Sequence, residues 1–152
     1  MLDNLGLPCV PMLTGGKSLH VIVPLQPKAT GETVKLFART VAVRRSEAAP
    51  DRYIATMSKA RRKGLIFIDW RRSNRGGTAV GPYALRASLG AKLAVSVIWT
   101  ELRSVRRAGA FDIRSVKDRQ GTPSPLQETT ISAVTLGHRV LEWLERCGAA
   151  AD

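Results

Sequence analysis

Asp69 closes an apolar run, Gly64-Leu65-Ile66-Phe67-Ile68-Asp69-Trp70, and arginines stand next at 71, 72 and 75. A carboxylate in that setting has two uses: it can bind a metal ion, or pair with Arg71 or Arg72 as a buried ion pair. His20 comes just after the turn Gly15-Gly16-Lys17-Ser18, where an imidazole can donate to a phosphate oxygen or serve as a hydrogen-bonded structural histidine. Gly16-Lys17-Ser18 imitates the tail of a phosphate-binding P-loop. The imitation fails, because Pro11 stands where the first glycine belongs and a strand pattern comes next where that loop needs a helix. Successive N–H groups of a Gly-Gly turn can still form a small anion nest beside Lys17. Arg72, Arg75 and Arg86 suit bidentate phosphate binding, the alternative being a solvated basic face. His138 reads as a half-buried helix histidine. Trp70, Trp99 and Trp143 read as core rather than base-stacking platforms.

The charge around these residues is uneven. The chain has 152 residues, 24 Lys and Arg against 12 Asp and Glu, and a formal net charge of +12. Between residues 59 and 92 stand Lys59, Arg61, Arg62, Lys63, Arg71, Arg72, Arg75, Arg86 and Lys92, with Asp69 the one acid among them. Such a concentration signals a polyanionic partner, because it otherwise costs self-repulsion. Hydrophobic residues make up 44% of the chain, a globular composition. No apolar run approaches the roughly 20 residues of a membrane span, so no membrane role is expected. The start has no secretory pattern, and Cys9 and Cys147 lack metal-ligand spacing. Both suit free thiols in a reducing, cytoplasmic compartment.

The elements that must position these residues are set by pattern. Leu19 to Leu25 reads as a short strand stopped by Pro24 and Pro27, with His20 and Ile22 on one face. Thr30 starts a helix in which Val34, Phe37, Ala38, Val41 and Ala42 form an apolar stripe, and Pro50 ends it. Residues 64–70 should be a central strand buried on both faces. Thr78-Ala79-Val80 predicts a strand ending in the Gly81-Pro82-Tyr83 turn, and Ala94 to Ile98 another. Trp99 to Leu102 begins a short helix. A polar linker is expected over 119–129 and an amphipathic helix over 130–148. The fold class expected is α+β, a mostly antiparallel sheet packed by helices and carrying His20, Asp69 and the 81–83 turn.

Three ordered blocks resemble a known family. Thr14-Gly15-Gly16-Lys17-Ser18-Leu19-His20-Val21, with Val23-Pro24-Leu25 after it, resembles the second motif of the polymerase domain of bacterial DNA ligase D. That domain belongs to the archaeo-eukaryotic primase superfamily and serves non-homologous end joining. Met57 to Trp70 is similar to its third motif. Asn74-Arg75-Gly76-Gly77-Thr78-Ala79-Val80-Gly81-Pro82-Tyr83-Ala84-Leu85-Arg86 and Trp99-Thr100-Glu101-Leu102 resemble the family's pattern downstream of that motif. The likeness covers about residues 5–118. It implies a partial primase-like polymerase fold over 1–118 and template-guided ribonucleotide addition with Mn²⁺ or Mg²⁺. Asp69 would be a catalytic, metal-binding carboxylate, and Thr14, His20, Arg72, Asn74, Thr78 and Arg86 would be nucleotide-binding. Lys59, Arg61, Arg62, Lys63 and Arg75 would face nucleic acid. The implied partners are a nucleoside triphosphate, DNA with 5′-phosphate ends or gaps, and other end-joining proteins, in a nucleoid-associated bacterial setting.

The departures from the family pattern bear on activity. Ser18 replaces a glycine, Ala84 replaces a serine, and these 152 residues contain no Asp-x-Asp such as the family's first motif supplies. Two-metal phosphoryl transfer needs several carboxylates holding ions about 4 Å apart, and Asp69 alone cannot do that. The expectation is therefore a fragment inactive alone, completed by an upstream polymerase half. The alternative is a non-catalytic nucleic-acid-binding protein or decayed remnant. A basic ribosome-associated protein would fit the charge but leaves the motifs unexplained.

Overall fold

The computed structural model describes residues 1–73, 76–119 and 121–148. They form two compact units, each assembled from two stretches of chain: 1–26 with 80–135, and 27–79 with 136–152.

The first unit is built on an antiparallel sheet in the order β2-β1-β5, with β1 Val10–Leu13, β2 Leu19–Ile22 and β5 Val95–Ser96. Every residue of β1 is buried, and its register sets Met12 opposite both His20 and Ser96. Pro11 sits in this middle strand because pairing with β5 starts only at Met12, while the Pro11 carbonyl accepts the Val97 N–H at 3.0 Å. β2 alternates as its pattern requires, with Leu19 and Val21 exposed and His20 and Ile22 half-buried. Leu13, Leu93, Val95 and Val97 form a buried cluster on which Leu102, Val105, Phe111 and Val116 pack. Helices α2 (Trp99–Leu102), α3 (Ser115–Asp118) and α4 (Pro125–Ile131) belong to this unit. Residues 83–94 fold back as an irregular hairpin in place of the strand expected over 78–80: Tyr83 N–H donates to Ala94 and Arg86 N–H to Lys92, both at 2.7 Å.

The second unit centres on helix α1, Gly31–Ala48, preceded by Thr30, whose hydroxyl accepts the Thr33 N–H at 3.1 Å. Helix α5, His138–Arg146, lays Trp143 edge-on against Phe37 at 5.9 Å between centroids. Arg44 ties the two helices by donating to the Cys147 carbonyl at 2.9 Å. Strands β3 (Tyr53–Ile54) and β4 (Ile66–Phe67) pair in parallel, and the Trp70–Ser73 turn packs on α1.

The α+β class and the antiparallel sheet carrying His20 are as expected, while several local expectations fail. The 64–70 run is not a doubly buried central strand: its partner offers only Tyr53 and Ile54, so pairing stops after Phe67 and Ile66 is 58% exposed. Asp69 accordingly lies beyond β4, outside the antiparallel sheet. The helix expected over 130–148 is broken, and α4 begins inside the expected linker. Val134 instead donates to Pro24 at 3.2 Å and accepts from Gln26 at 2.9 Å, so extended pairing replaces helix between α4 and α5. Ile131, within the expected amphipathic helix, is 82% exposed.

Candidate nucleotide and nucleic-acid site

In the first unit the chemistry gathers at the turn between β1 and β2. Thr14 is buried, and its hydroxyl donates to the Ser18 carbonyl at 2.8 Å and lies 3.0 Å from the Ser18 hydroxyl. The Gly16 N–H approaches the same oxygen at 3.4 Å. The Thr14 side chain therefore holds the turn, and Ser18, standing in place of the motif's glycine, joins that clamp. Gly15 has φ +70°, and a Cβ there would meet Arg86 Cγ, Leu93 C and Leu93 O, each at 2.9 Å. Only glycine lets the Arg86 stem and the Leu93 backbone lie this close to the turn. Arg86 itself is exposed, its backbone N–H donating to Lys92 and its Cγ lying beside the turn. His20 is half-buried on β2, with Val21 next to it facing out.

An ion pair braces the far side of the hairpin. Lys92 Nζ lies 3.8 Å from Asp112 Oδ2. Burial opposes ionisation of Asp112, but the Arg114 and Ser115 backbone N–H groups and the Lys92 ammonium outweigh it, holding the carboxyl below its ordinary range. Further along the unit, Arg119 forks onto Glu101 through Nη1 and Nη2, the longer contact at 3.4 Å, and stacks 5.0 Å from the Phe111 centroid. The Glu101 carboxylate raises the Arg119 pKa. The motif pattern marked Glu101 but missed Arg119, whose signal was one arginine in a polar stretch. A groove of about 500 Å³ bordered by Pro82, Tyr83, Leu126 and Ile131 carries no charged side chain.

In the second unit Asp69 accepts from the Arg71 N–H at 3.2 Å and from Arg72 Nε at 3.4 Å. The side chains of Arg72 and Asp69 are 58% and 37% exposed, so this is a surface ion pair rather than a buried one, worth about 0–1 kcal/mol. Arg72 Nη1 also donates to the Thr78 carbonyl at 2.7 Å, which gives Thr78 a backbone contact with Arg72. Arg62 is pinned: Nε donates to Thr56 O at 3.1 Å, Nη2 to Met57 O at 2.7 Å, and Cζ lies 3.4 Å from the Phe67 centroid. Lys59, Arg61 and Lys63 are exposed. Asn74 and Arg75 lie outside the described residues.

This donor set falls short of a metal centre. No three His, Cys, Asp or Glu side chains gather as a cation site among the described residues. Asp69 offers one carboxylate with one oxygen engaged by Arg72, so the residues described do not by themselves make a Mn²⁺ or Mg²⁺ centre. No helix among the described residues is long and apolar enough to cross a membrane.

Comparison with known proteins converges on one family. The family model described as "LigD, primase-polymerase domain" matches residues 1–124. The multifunctional non-homologous end joining protein LigD of Pseudomonas aeruginosa is 34% identical over 119 residues, 78% of this chain but 14% of that protein. The bifunctional LigD of Bacillus subtilis is 28% identical over 127 residues, 81% of this chain and 21% of that protein. The solved polymerase domain of Mycobacterium tuberculosis ligase D, in complex with DNA, superposes with a TM-score of 0.78 at 27% identity. That match covers 87% of this chain and 46% of the solved one, so the chain spans under half the domain it resembles and a small part of the full-length relatives. On the extent of the family match, with the β1–β2 turn and the Asp69–Arg72 pair already in place, the chain belongs to the LigD primase-polymerase domain family.

Proposed function

We propose that this chain is a nucleotide- and DNA-binding part of an end-joining polymerase, and that nucleotidyl transfer requires carboxylates these 152 residues do not contain. The observation that carries the reading is the Gly15–Arg86 packing. It brings the stem of the exposed Arg86 against the turn that leads into His20, a placement suited to a triphosphate. Thr14 acts by holding that turn, and His20 and Arg86 meet the phosphates. Asp69 supplies one carboxylate toward a divalent cation, and Arg72 neutralises phosphate charge beside it. Lys59, Arg61 and Lys63 provide the sequence-independent attraction to the DNA backbone, including 5′-phosphate ends and gaps. The DNA in the solved relative supports a nucleic-acid partner. The missing Asp-x-Asp supports silence in isolation, its completion coming from a polypeptide that carries the paired aspartates.

The test is two-part. Titration with a nucleoside triphosphate should show binding that His20→Ala and Arg86→Ala each weaken roughly tenfold or more, the order expected for one charge-assisted contact. Mn²⁺-dependent ribonucleotide addition to a gapped, 5′-phosphorylated primer–template should be absent for the chain alone. Extension that Asp69→Ala abolishes would show that a complete carboxylate site forms without Asp-x-Asp and refute the claim of silence. Unaltered triphosphate affinity in both variants would refute the phosphate site.

A further inference from the structure

Instead of joining the core, Trp70 is half-buried and lines a cavity of about 190 Å³ with Lys35, Met57 and Arg71. The Arg39 guanidinium lies 5.9 Å from its ring centroid. Among the described residues neither Lys35 nor Arg71 has a carboxylate within ion-pair distance, and Asp69 is engaged by Arg72 and the Arg71 backbone. An aromatic wall is thus ringed by cations, two of which line the cavity itself without an acidic partner.

We propose that this cavity seats one base of a single-stranded nucleic acid, stacked on Trp70, with the flanking phosphates on Lys35 and Arg71. Size allows a base: a cavity of about 190 Å³ has room for one planar ring system. The sugar and phosphates then lie toward solvent, to which Lys35 and Arg71 are both exposed. Met57, a pliable thioether, adapts to any of the four bases. A duplex base would first have to leave its stack, so single strands are preferred. An acidic peptide would satisfy the cations and leave the ring wall unused. The base site extends the nucleic-acid half of the proposed function and rests on it, independently of triphosphate binding.

The test uses the whole chain and fluorescence anisotropy with a dT 12-mer against a 12-mer of abasic sugar-phosphate. Wild type should bind dT about tenfold more tightly, and Trp70→Ala should abolish that preference while leaving abasic affinity within about twofold. Lys35→Ala and Arg71→Ala should weaken both ligands and each lower the salt slope by about one. Because Trp70→Ala removes a ring that α1 packs near, a wild-type experiment runs beside it. Photocrosslinking of a 5-iododeoxyuridine oligonucleotide should yield an adduct on Trp70. A retained base preference in Trp70→Ala, an adduct mapped elsewhere, or displacement of dT by hexaglutamate at equal concentration would each overturn the proposal. Failure to bind any oligonucleotide while the triphosphate titration succeeds would overturn it together with the DNA half of the function. Normal dT preference without triphosphate binding would uphold it and refute the phosphate site instead.

Discussion

Replacing Gly15 by alanine isolates the contact on which the phosphate-facing turn depends. Its φ of +70° costs any L residue about 1–2 kcal/mol. The added Cβ then meets the Leu93 backbone and Arg86 Cγ at 2.9 Å. The arginine stem can swing away, but the Leu93 carbonyl belongs to the buried strand region and cannot. Forced overpacking of this kind costs about 1–3 kcal/mol. Together these give a loss of roughly 2–5 kcal/mol, which for a chain of this length lowers the melting temperature by roughly 4–20 °C. Two controls separate the components. Gly64→Ala meets nothing within 4 Å but has φ +77°, so it should lose only the backbone part, about 1–2 kcal/mol. Gly16→Ala would find Thr14 Oγ1 at 3.6 Å, an ordinary contact, and should change stability by less than about 0.5 kcal/mol. Urea unfolding monitored by circular dichroism ranks the three. If Gly15→Ala matched Gly64→Ala, the Leu93 backbone would not confine the turn, and the argument for close packing at Gly15 would fall.

The same geometry sets three further outcomes. Asp112 has a folded-state pKa below its ordinary value, so its contribution is present above the ordinary aspartate range of about 3.9 and is lost as pH falls through the lower folded value. Asp112→Asn should therefore lower stability at neutral pH and converge on the wild type as pH falls below about 4, which flattens the acid limb. Arg119→Leu leaves the Glu101 carboxylate half-buried without its fork, costing about 2–3 kcal/mol. Adding Glu101→Leu should recover part of that, and strictly additive losses in urea unfolding would deny the coupling. Trp143→Ala removes the edge contact with Phe37 and should cost about 2–3 kcal/mol, read as a lower urea midpoint; a shift under about 0.5 kcal/mol would mean α5 does not brace α1.

How far the sequence discloses the fold depends on how local each signal is. Helix α1 was legible because its cap, its apolar spacing and Pro50 all lie within one stretch of chain. β2 was legible because alternation decides which side of a strand faces in. The apolar run before Asp69 misled, since such a run specifies burial only if partner strands exist, and here the partner is two residues long. The C-terminal segment misled for a related reason: Val134 has a helical neighbourhood but pairs with Pro24 and Gln26, a partner more than a hundred positions away. At the site, residue types singled out Asp69, His20 and Arg86 as groups able to meet phosphate or metal, but Asp69 was expected in a buried setting and lies in a surface pair. Type alone could not show that Thr14 is consumed in holding its turn, that Arg62 is pinned across Phe67, or that Trp70 borders a cavity. Those facts depend on which backbone carbonyls and rings come within reach after folding.

The interleaving of the two units sets the order in which the chain can fold as it is made. Residues 27–79 are made as one stretch, yet Phe37 packs on Trp143, which is made about a hundred residues later. In the first unit Gln26 likewise pairs only once Val134 has left the ribosome tunnel. At about 5–20 residues per second, β1, β2 and α1 wait several seconds with their apolar faces uncovered. Throughout that interval β2 presents Leu19 and Val21 on an outer strand, a surface to which a chaperone or a second nascent copy can attach. Slowing translation near residue 120 should therefore reduce the soluble yield of this chain more than slowing it near residue 30.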